Sequence, residues 1–585
     1  MTQTPSQITS TELVWPGKRT EVERVVLPFQ TVETVNKPRV DQARMDFGEW
    51  PANYPRDWKN KLIWGDNKYV MASLLRDFAG QIDLIYIDPP FATGADFTVE
   101  VEIGDAEVTK QASVIEELAY RDTWGRGLSS YLQMMYERLV LGKDLLAPNG
   151  IICVHLDWHV GHYVKLLMDE IFGKDSYVNE IVWYYKTGGV SKRWFSRKHD
   201  MIQVYSNGDN YIFNPLKEKS YLTHKYGFSN IEILEDEQGY YTEVWMRDVW
   251  DVPGLRGNQP ERVPFPTQKP EGVLERVIRA FSNEGDLVAD FFCGSGTTGA
   301  VAEKLGRRWI MSDLSRFAIQ TARKRLLNLH GYSNDYDRPA RPFEILNMGN
   351  YQKHKFIEND HPPVEQYVTF ILELYRAQPV EGLAFVHGKK GRRFVHVAGV
   401  DSIVTEREVR DAAEECVNAL GGKALDVLGW DFEMGLDELV GRIGQDYGLS
   451  VRLVQIPREA MELRSADQEI RFFDMNYLDV AHRVEGQKLI IELKDFIIAN
   501  GEYLPDQVRA NVTSFSDYID YWAVDFDYQE DTFHNMWQSF RTRQRKKLDV
   551  SCVHFYERPG RYRVLIKVID VFGNDTNKLL EVTVG

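Results

Sequence analysis

From residue 61 to about 340 of this 585-residue chain, short apolar runs alternate with amphipathic stretches, and this alternation constrains the fold most. Residues 81–88 (QIDLIYID) read as a buried strand. In residues 130–146, Leu132, Met135 and Leu139 recur at helical spacing, and Pro148-Asn149-Gly150 stops the pattern. Residues 151–156 are again strand-like and 163–172 helical. Strand, helix, strand and helix then follow over 286–292, 297–305, 307–313 and 316–329. Such alternation predicts an α/β domain, a mostly parallel sheet with helices on both faces.

The flanks read differently. Residues 1–60 are spotted with prolines (Pro16, Pro28, Pro38, Pro51, Pro55) and suggest a wrapping arm. Pro339, Pro342, Pro362 and Pro363 mark a boundary, beyond which residues 341–500 read as an acidic α+β domain and 501–585 as a β-rich module. No run of eighteen apolar residues exists, so no spanning helix is expected. Four scattered cysteines without a CxxC pair and the lack of a signal-peptide pattern fit a reducing cytoplasm. The net charge of −17 argues against an overall basic coat for nucleic acid, but the excess acid is concentrated in residues 401–540.

Two loops carry chemistry. Asp88-Pro89-Pro90-Phe91 follows a strand, at the end where α/β sheets place ligands. Prolines fix φ and have no N–H, leaving Asp88 and the Pro89 carbonyl as acceptors. Together they could accept both hydrogens of an exocyclic amino group and aim its lone pair at an electrophilic methyl, while Phe91 offers a stacking face. The second loop is Asp290-Phe291-Phe292-Cys293-Gly294-Ser295-Gly296-Thr297-Thr298, between strand and helix. Its glycines permit close approach of a ligand to backbone, and the helix start offers N–H donors. Gly294, Gly296 and Gly299 match G-x-G-x-x-G, so a dinucleotide site is the rival reading of this loop alone. Asp313, ending the next strand, is placed to hold ribose hydroxyls.

Taken together, the two loops, with Pro266-Thr267-Gln268-Lys269-Pro270 and with Trp64-Gly65-Asp66-Asn67, LMDEIFG (167–173), HDMIQVYS (199–206) and MRDVWDVP (246–253), resemble the β-class amino-methyltransferases of DNA. The likeness covers about 60–340 and looks nearest to the modification subunits of type III restriction systems. It implies a Rossmann-like domain with S-adenosylmethionine as methyl donor. By motif position Phe292, Gly294 and Gly296 would cradle its amino-acid end, with Asp290, Ser295 and Thr297 alongside. Asp313 would take the ribose, Asp66 would lie near the cofactor, and Thr267, Lys269 and Pro270 would close over the methionine. Asp88, Pro89, Pro90 and Phe91 would handle the target base. The leading Asp favours adenine N6 over cytosine N4.

Chemistry on a base within a duplex requires flipping it out. The aromatic run Trp183-Tyr184-Tyr185 could help to stack it, although a half-buried strand is the plainer reading. Next comes the loop 186–198, with five basic residues (Lys186, Lys192, Arg193, Arg197, Lys198), no acid, and Trp194-Phe195. Basic residues interleaved with aromatics suit phosphate contact and insertion at an opened base pair. Residues 207–262 would form a short target-recognition insert. Duplex DNA is the expected partner, with a separate helicase-nuclease subunit and a second copy of the chain as further candidates. Other readings are a cytosine-N4 enzyme, an RNA or protein amino-methyltransferase, and a non-catalytic recognition subunit. In the C-terminal third, Asp479…Glu492-Leu493-Lys494 superficially fits a metal-dependent nuclease, a pattern common by chance, so no metal is expected. The segment 554–573 resembles the closing strands of an immunoglobulin-like sandwich.

Overall fold

The computed structural model describes residues 12–36, 50–90, 98–103, 106–111, 127–186, 191–223, 232–256, 259–329, 339–348, 364–380, 382–399, 404–430, 432, 436–456, 473–474, 477–498, 512–529, 532–542, 545–571 and 575–585. They fall into two compact units. Phe91 lies outside the described residues.

The first unit is built on a sheet whose strands lie side by side as Val249–Asp251, Tyr177–Tyr184, His199–Ser206, Leu146–Leu156, Ile82–Ile87, Leu287–Asp290, Arg308–Asp313, Asn60–Trp64 and Phe343–Asn347. His199–Ser206 alone runs against its neighbours; the other pairings are parallel. Helices connect the parallel strands: Asn67–Phe78, Leu128–Leu145, Gly161–Phe172, Glu271–Phe281, Thr297–Lys304 and Arg316–Leu327. This is the mostly parallel α/β sheet that the alternation predicts and the Rossmann-like architecture that the resemblance implies. The central strands are apolar throughout because helices cover both faces: Leu84, Ile85, Val288, Ala289, Ile310 and Met311 are wholly buried.

One expectation is corrected. Pro148-Asn149-Gly150 does not separate helix from strand; the strand begins at Leu146 and runs through it. The register with Ile82–Ile87 slips between Ile82 and Leu84, so the segment is accommodated as a bulge. A Cβ at Gly150 would stand 2.9 Å from the Ile82 carbonyl, which explains the glycine. The N-terminal arm is tied down where it is described. Lys18 pairs with Glu170 at 2.7 Å, Arg24 with Asp144 at 2.7 Å, and the Leu27 N–H donates to Ser73. In the insert, Lys217–Tyr221, Leu234–Asp236 and Gly239–Trp245 form a small antiparallel sheet, whereas Val249–Asp251 joins the main sheet.

The second unit holds an α/β module and a β-sandwich. In the module, Arg393–Val397, Ala424–Gly429 and Ser450–Gln455 pair in parallel, and helices Val364–Tyr375, Glu406–Leu420 and Leu436–Tyr447 accompany them. The sandwich packs Tyr477–Glu485, Lys488–Ile497 and Ser551–Phe555 against Trp537–Phe540, Ile519–Asp525, Gly560–Asp570 and Asp575–Val584. Leu489, Ile491, Trp522, Val564 and Ile566 form its shared core. Strands on both sides of residue 500 therefore share one core, so a division at 500 cuts through the sandwich. Glu492 and Lys494 pair with each other at 2.6 Å on this hairpin. Among the described residues no helix is long and apolar enough to cross a membrane, and no three His, Cys, Asp or Glu side chains are grouped to hold a metal.

Candidate active site

Three neighbouring parallel strands end in carboxylates at one edge of the sheet. Asp88 follows Ile82–Ile87, Asp290 closes Leu287–Asp290, and Asp313 closes Arg308–Asp313. The carboxyl ends of parallel strands are where such sheets open a crevice.

Close packing fixes the glycine loop. Gly294 (φ +47°) and Gly296 (φ +74°) occupy left-handed backbone that side chains disfavour. A Cβ at Gly294 would stand 3.0 Å from Phe265, and one at Gly296 2.7 Å from the Ala322 Cβ. At Gly299 a Cβ would overlap Met311 of the adjacent strand at 2.3 Å, so the third glycine serves helix–strand packing. The helix Thr297–Lys304 begins directly behind the loop and points its positive end at the crevice edge. Asp313 accepts the Gly294 N–H at 2.8 Å and the Ser315 N–H at 2.9 Å, fixing the loop to the next strand. Ser295 and Thr297 bond each other at 3.1 Å. Arg325, wholly buried, reaches Thr297 Oγ1 at 2.9 Å and Glu271 at 2.8 Å. Neither Arg325 nor Glu271 stands out in the sequence.

Asp290 is buried. Its Oδ1 accepts the Phe292 N–H at 3.0 Å and its Oδ2 the Thr298 hydroxyl. Burial pushes its carboxyl up to about 7 against the pull of these bonds, and the charges of Asp88 and Asp313 add to the rise. The fold thus binds this proton more tightly than the unfolded chain, whose carboxyl titrates near 3.8. Stability contributed here falls as pH rises from about 4 through about 7. Asp290→Asn should flatten that slope. Melting temperatures of both proteins across pH 5–8 check this, and parallel pH profiles would sink it.

Asp88 pairs through Oδ2 with the Lys269 ammonium; their side chains are 16% and 12% exposed. Asp88 Oδ1 is buried and has no hydrogen-bond partner among the described residues. The sequence expectation groups Lys269 with Thr267 and Pro270 over the cofactor; in the structure its ammonium pairs with Asp88 while its carbonyl accepts from Thr297 Oγ1. Thr267 is exposed, whereas Pro270 is buried and caps the helix Glu271–Phe281. Gln268 braces the segment, accepting from Val263 N–H and donating to the Glu261 carbonyl. Asp66 caps the helix Asn67–Phe78 and accepts from Arg138 at 3.0 Å, while the Asn67 amide donates to the Phe291 carbonyl at 2.9 Å.

Behind Asp88 lies a buried polar chain that sequence reading missed. The Tyr86 hydroxyl meets His155 Nδ1 at 2.7 Å, His155 Nε2 meets Asp200 at 3.3 Å, and Tyr185 donates to Asp200 at 3.1 Å. Burial alone would raise the Asp200 carboxyl, but His155, Lys269 and Tyr185 hold it below the ordinary range. Trp183 is core, its Nε1 donating to the Val252 carbonyl, so it offers no open stacking face.

Sheet pairing brings the basic loop to the same edge. Ile87 registers with Val154, Leu156 with Met201, and Tyr184 with His199. The chain between Tyr184 and His199 therefore leaves the sheet beside the Asp88 loop. Arg197 lies 3.7 Å over Trp158, which follows Leu146–Leu156, and 5.5 Å from Trp194. Lys192 and Arg193 are exposed and Lys198 is half-buried, while Lys186 pairs with Asp251 at 2.7 Å. Trp194 is 57% and Phe195 99% exposed.

A family model for DNA methylases matches residues 82–324. The type II methyltransferase M.HpaI of Haemophilus parainfluenzae is 30% identical over 313 residues, spanning 50% of this chain and 86% of that protein. The chain belongs to the DNA methylase family. The DNA adenine methyltransferase YhdJ of Escherichia coli K12 is 28% identical over 270 residues, 45% of this methylase and 82% of its relative. A probable type III restriction-modification enzyme, the HindVI Mod subunit of Haemophilus influenzae, is 32% identical over 167 residues, 28% of this chain but 19% of that subunit. Likeness to a type III modification subunit is thus partial, whereas M.HpaI and YhdJ are each matched over most of their length. As a DNA methylase the chain takes its methyl group from S-adenosylmethionine. The residues fit that donor. Bare glycine backbone and a helix start suit its carboxylate.

Proposed function

We propose that the chain methylates the exocyclic amino group of a flipped base in duplex DNA, adenine N6, as the modification component of a restriction or phage-defence system of type III-like organisation. The carrying observation is Asp88, which follows its strand beside the glycine loop with one carboxylate oxygen tethered and the other buried without a partner among the described residues. An amino N–H of the base is a donor suited to that oxygen. The leading Asp and the adenine enzyme among the relatives support adenine. The bound donor supplies an electrophilic methyl; the protein supplies position and preorganised acceptors, which account for most of the rate in such sites. Phe292, Gly294, Gly296 and Thr297 hold the donor's amino-acid end, and Asp313 holds its ribose.

Long-read modification mapping of DNA from cells expressing the chain is expected to show N6-methyladenine at one short sequence. N4-methylcytosine would overturn the base assignment, and unmodified DNA would overturn the function. A helicase-nuclease subunit, on a separate polypeptide, belongs to the same proposal and should be encoded beside this gene.

The loop 186–198 meets the duplex in this reading. The Ser191 hydroxyl accepts the N–H groups of Arg193 and Trp194, bracing a turn from which Phe195 projects. Apolar wedges of this kind hold open an unstacked step. Phe195→Ala should slow methylation of matched duplex by ~10-fold and regain most of that rate on a substrate mismatched at the target base, where opening costs less. Equal loss on both substrates would remove the wedge role.

A further inference from the structure

We infer that Lys269 is a positioning residue for methyl transfer, acting through Asp88 by holding one carboxylate oxygen and leaving the other for the substrate's amino group. The inference rests on the function proposed above. Lys269 and Asp88 are 181 positions apart, and the fold joins them as an ion pair largely shielded from water. A carboxylate can rotate about its Cβ–Cγ bond; an ammonium fixed on Oδ2 restrains that rotation and sets where Oδ1 lies. Oδ1 is buried without a partner among the described residues, and a buried acceptor of this kind is best satisfied by a donor from the substrate.

The ammonium is itself restrained. It acts on Asp200 as well as Asp88, and Asp200 is fixed by Tyr185 and by His155, which in turn meets Tyr86 two residues before Asp88. Its carbonyl also anchors the glycine loop: Thr297 Oγ1 donates to Lys269 O at 3.3 Å. The same residue thus ties the base-handling carboxylate to the cofactor loop, so acceptor and donor sites keep a fixed spacing. In the transfer, the amino nitrogen's lone pair forms the new bond to the methyl carbon. The sulfur–carbon bond breaks with its electrons staying on sulfur. One amino proton leaves to Asp88 Oδ1 and then to water, and Lys269 neither gains nor loses a proton.

The test uses the full chain with Lys269→Met and Lys269→Arg, each also in an Asp88→Asn background. Single-turnover methylation of duplex DNA at saturating S-adenosylmethionine is measured beside calorimetric S-adenosylmethionine binding. Lys269→Met is expected to slow the single-turnover step by ~30-fold with donor affinity within ~3-fold of wild type. Lys269→Arg should recover to within ~5-fold, and Lys269→Met should add less than ~3-fold once Asp88 is Asn. Retained donor binding shows that the variants fold. A variant that loses donor affinity by ~10-fold but keeps the wild-type rate at saturation would make Lys269 a cofactor clamp and overturn the inference. A wild-type chain that methylates no DNA would overturn the proposed function and this inference with it, whereas an active wild type with an unimpaired Lys269→Met overturns the inference alone.

Discussion

Asp88→Ala is expected to lower methyl transfer to DNA by ~10³-fold or more while changing S-adenosylmethionine binding by less than ~3-fold. The separation follows from where the carboxylate sits. Among the described residues its oxygens pair with Lys269 and not with the glycine loop, whose own contacts run through Asp290, Asp313, Ser295 and Thr297. Alanine leaves the Lys269 ammonium without this partner in a shielded site, so part of any stability loss would reflect that buried charge. Asp88→Asn is the cleaner companion. It keeps shape and volume but turns one acceptor into a donor, and should cost nearly as much activity with less effect on melting temperature. Tritiated-methyl transfer and calorimetry on the same preparations decide the matter. Comparable loss of transfer and donor binding in both variants would move Asp88 from the base to the cofactor.

What could be read from the sequence followed the range of the interactions. The strand-to-loop transitions at Asp88 and Asp290 are local, since apolar runs ending in proline or glycine turns declare themselves within ten residues, and the helices and strands around them fall within a few residues of expectation. The bulge at Pro148-Asn149-Gly150 was hidden because the Ile82 carbonyl that demands Gly150 lies on another strand. For the same reason the partners of the site stayed out of sight. Tyr86, His155 and Asp200 come from three strands and form a chain only once the sheet is assembled. Lys269 was assigned by its motif to the cofactor side, and its carbonyl does meet the glycine loop, but its ion pair with Asp88 spans 181 positions and forms only once the sheet is assembled. Net charge was the least informative feature: the acid lies mostly in 401–540, while the loop beside Asp88 is locally basic.

Arg325 carries the second large expectation. Arg325→Met should destabilise the first unit by ~3 kcal/mol, the low end of the cost of breaking a buried ion pair, because Lys304 still pairs with Glu271 at 2.7 Å. It should also weaken S-adenosylmethionine binding by ~10-fold, since the guanidinium holds Thr297 in the glycine loop and Glu271 directly behind Pro270. The sign of the pH response identifies the cause. Burial pushes the Glu271 carboxyl up, yet Arg325 and Lys304 together hold it below its ordinary 4.5. A depressed carboxyl stabilises the fold above that value and loses this contribution as pH falls through it. Removing Arg325 removes much of the contribution, so the gap between wild type and variant should be widest near neutrality and narrow below pH ~4.5. Urea melts at several pH values, read beside donor affinity, measure both effects. A gap that is constant with pH would mean that Arg325 stabilises by packing alone. Arg325→Lys should behave nearly as badly as methionine, because one ammonium cannot reproduce a fork that reaches a hydroxyl and a carboxylate at once.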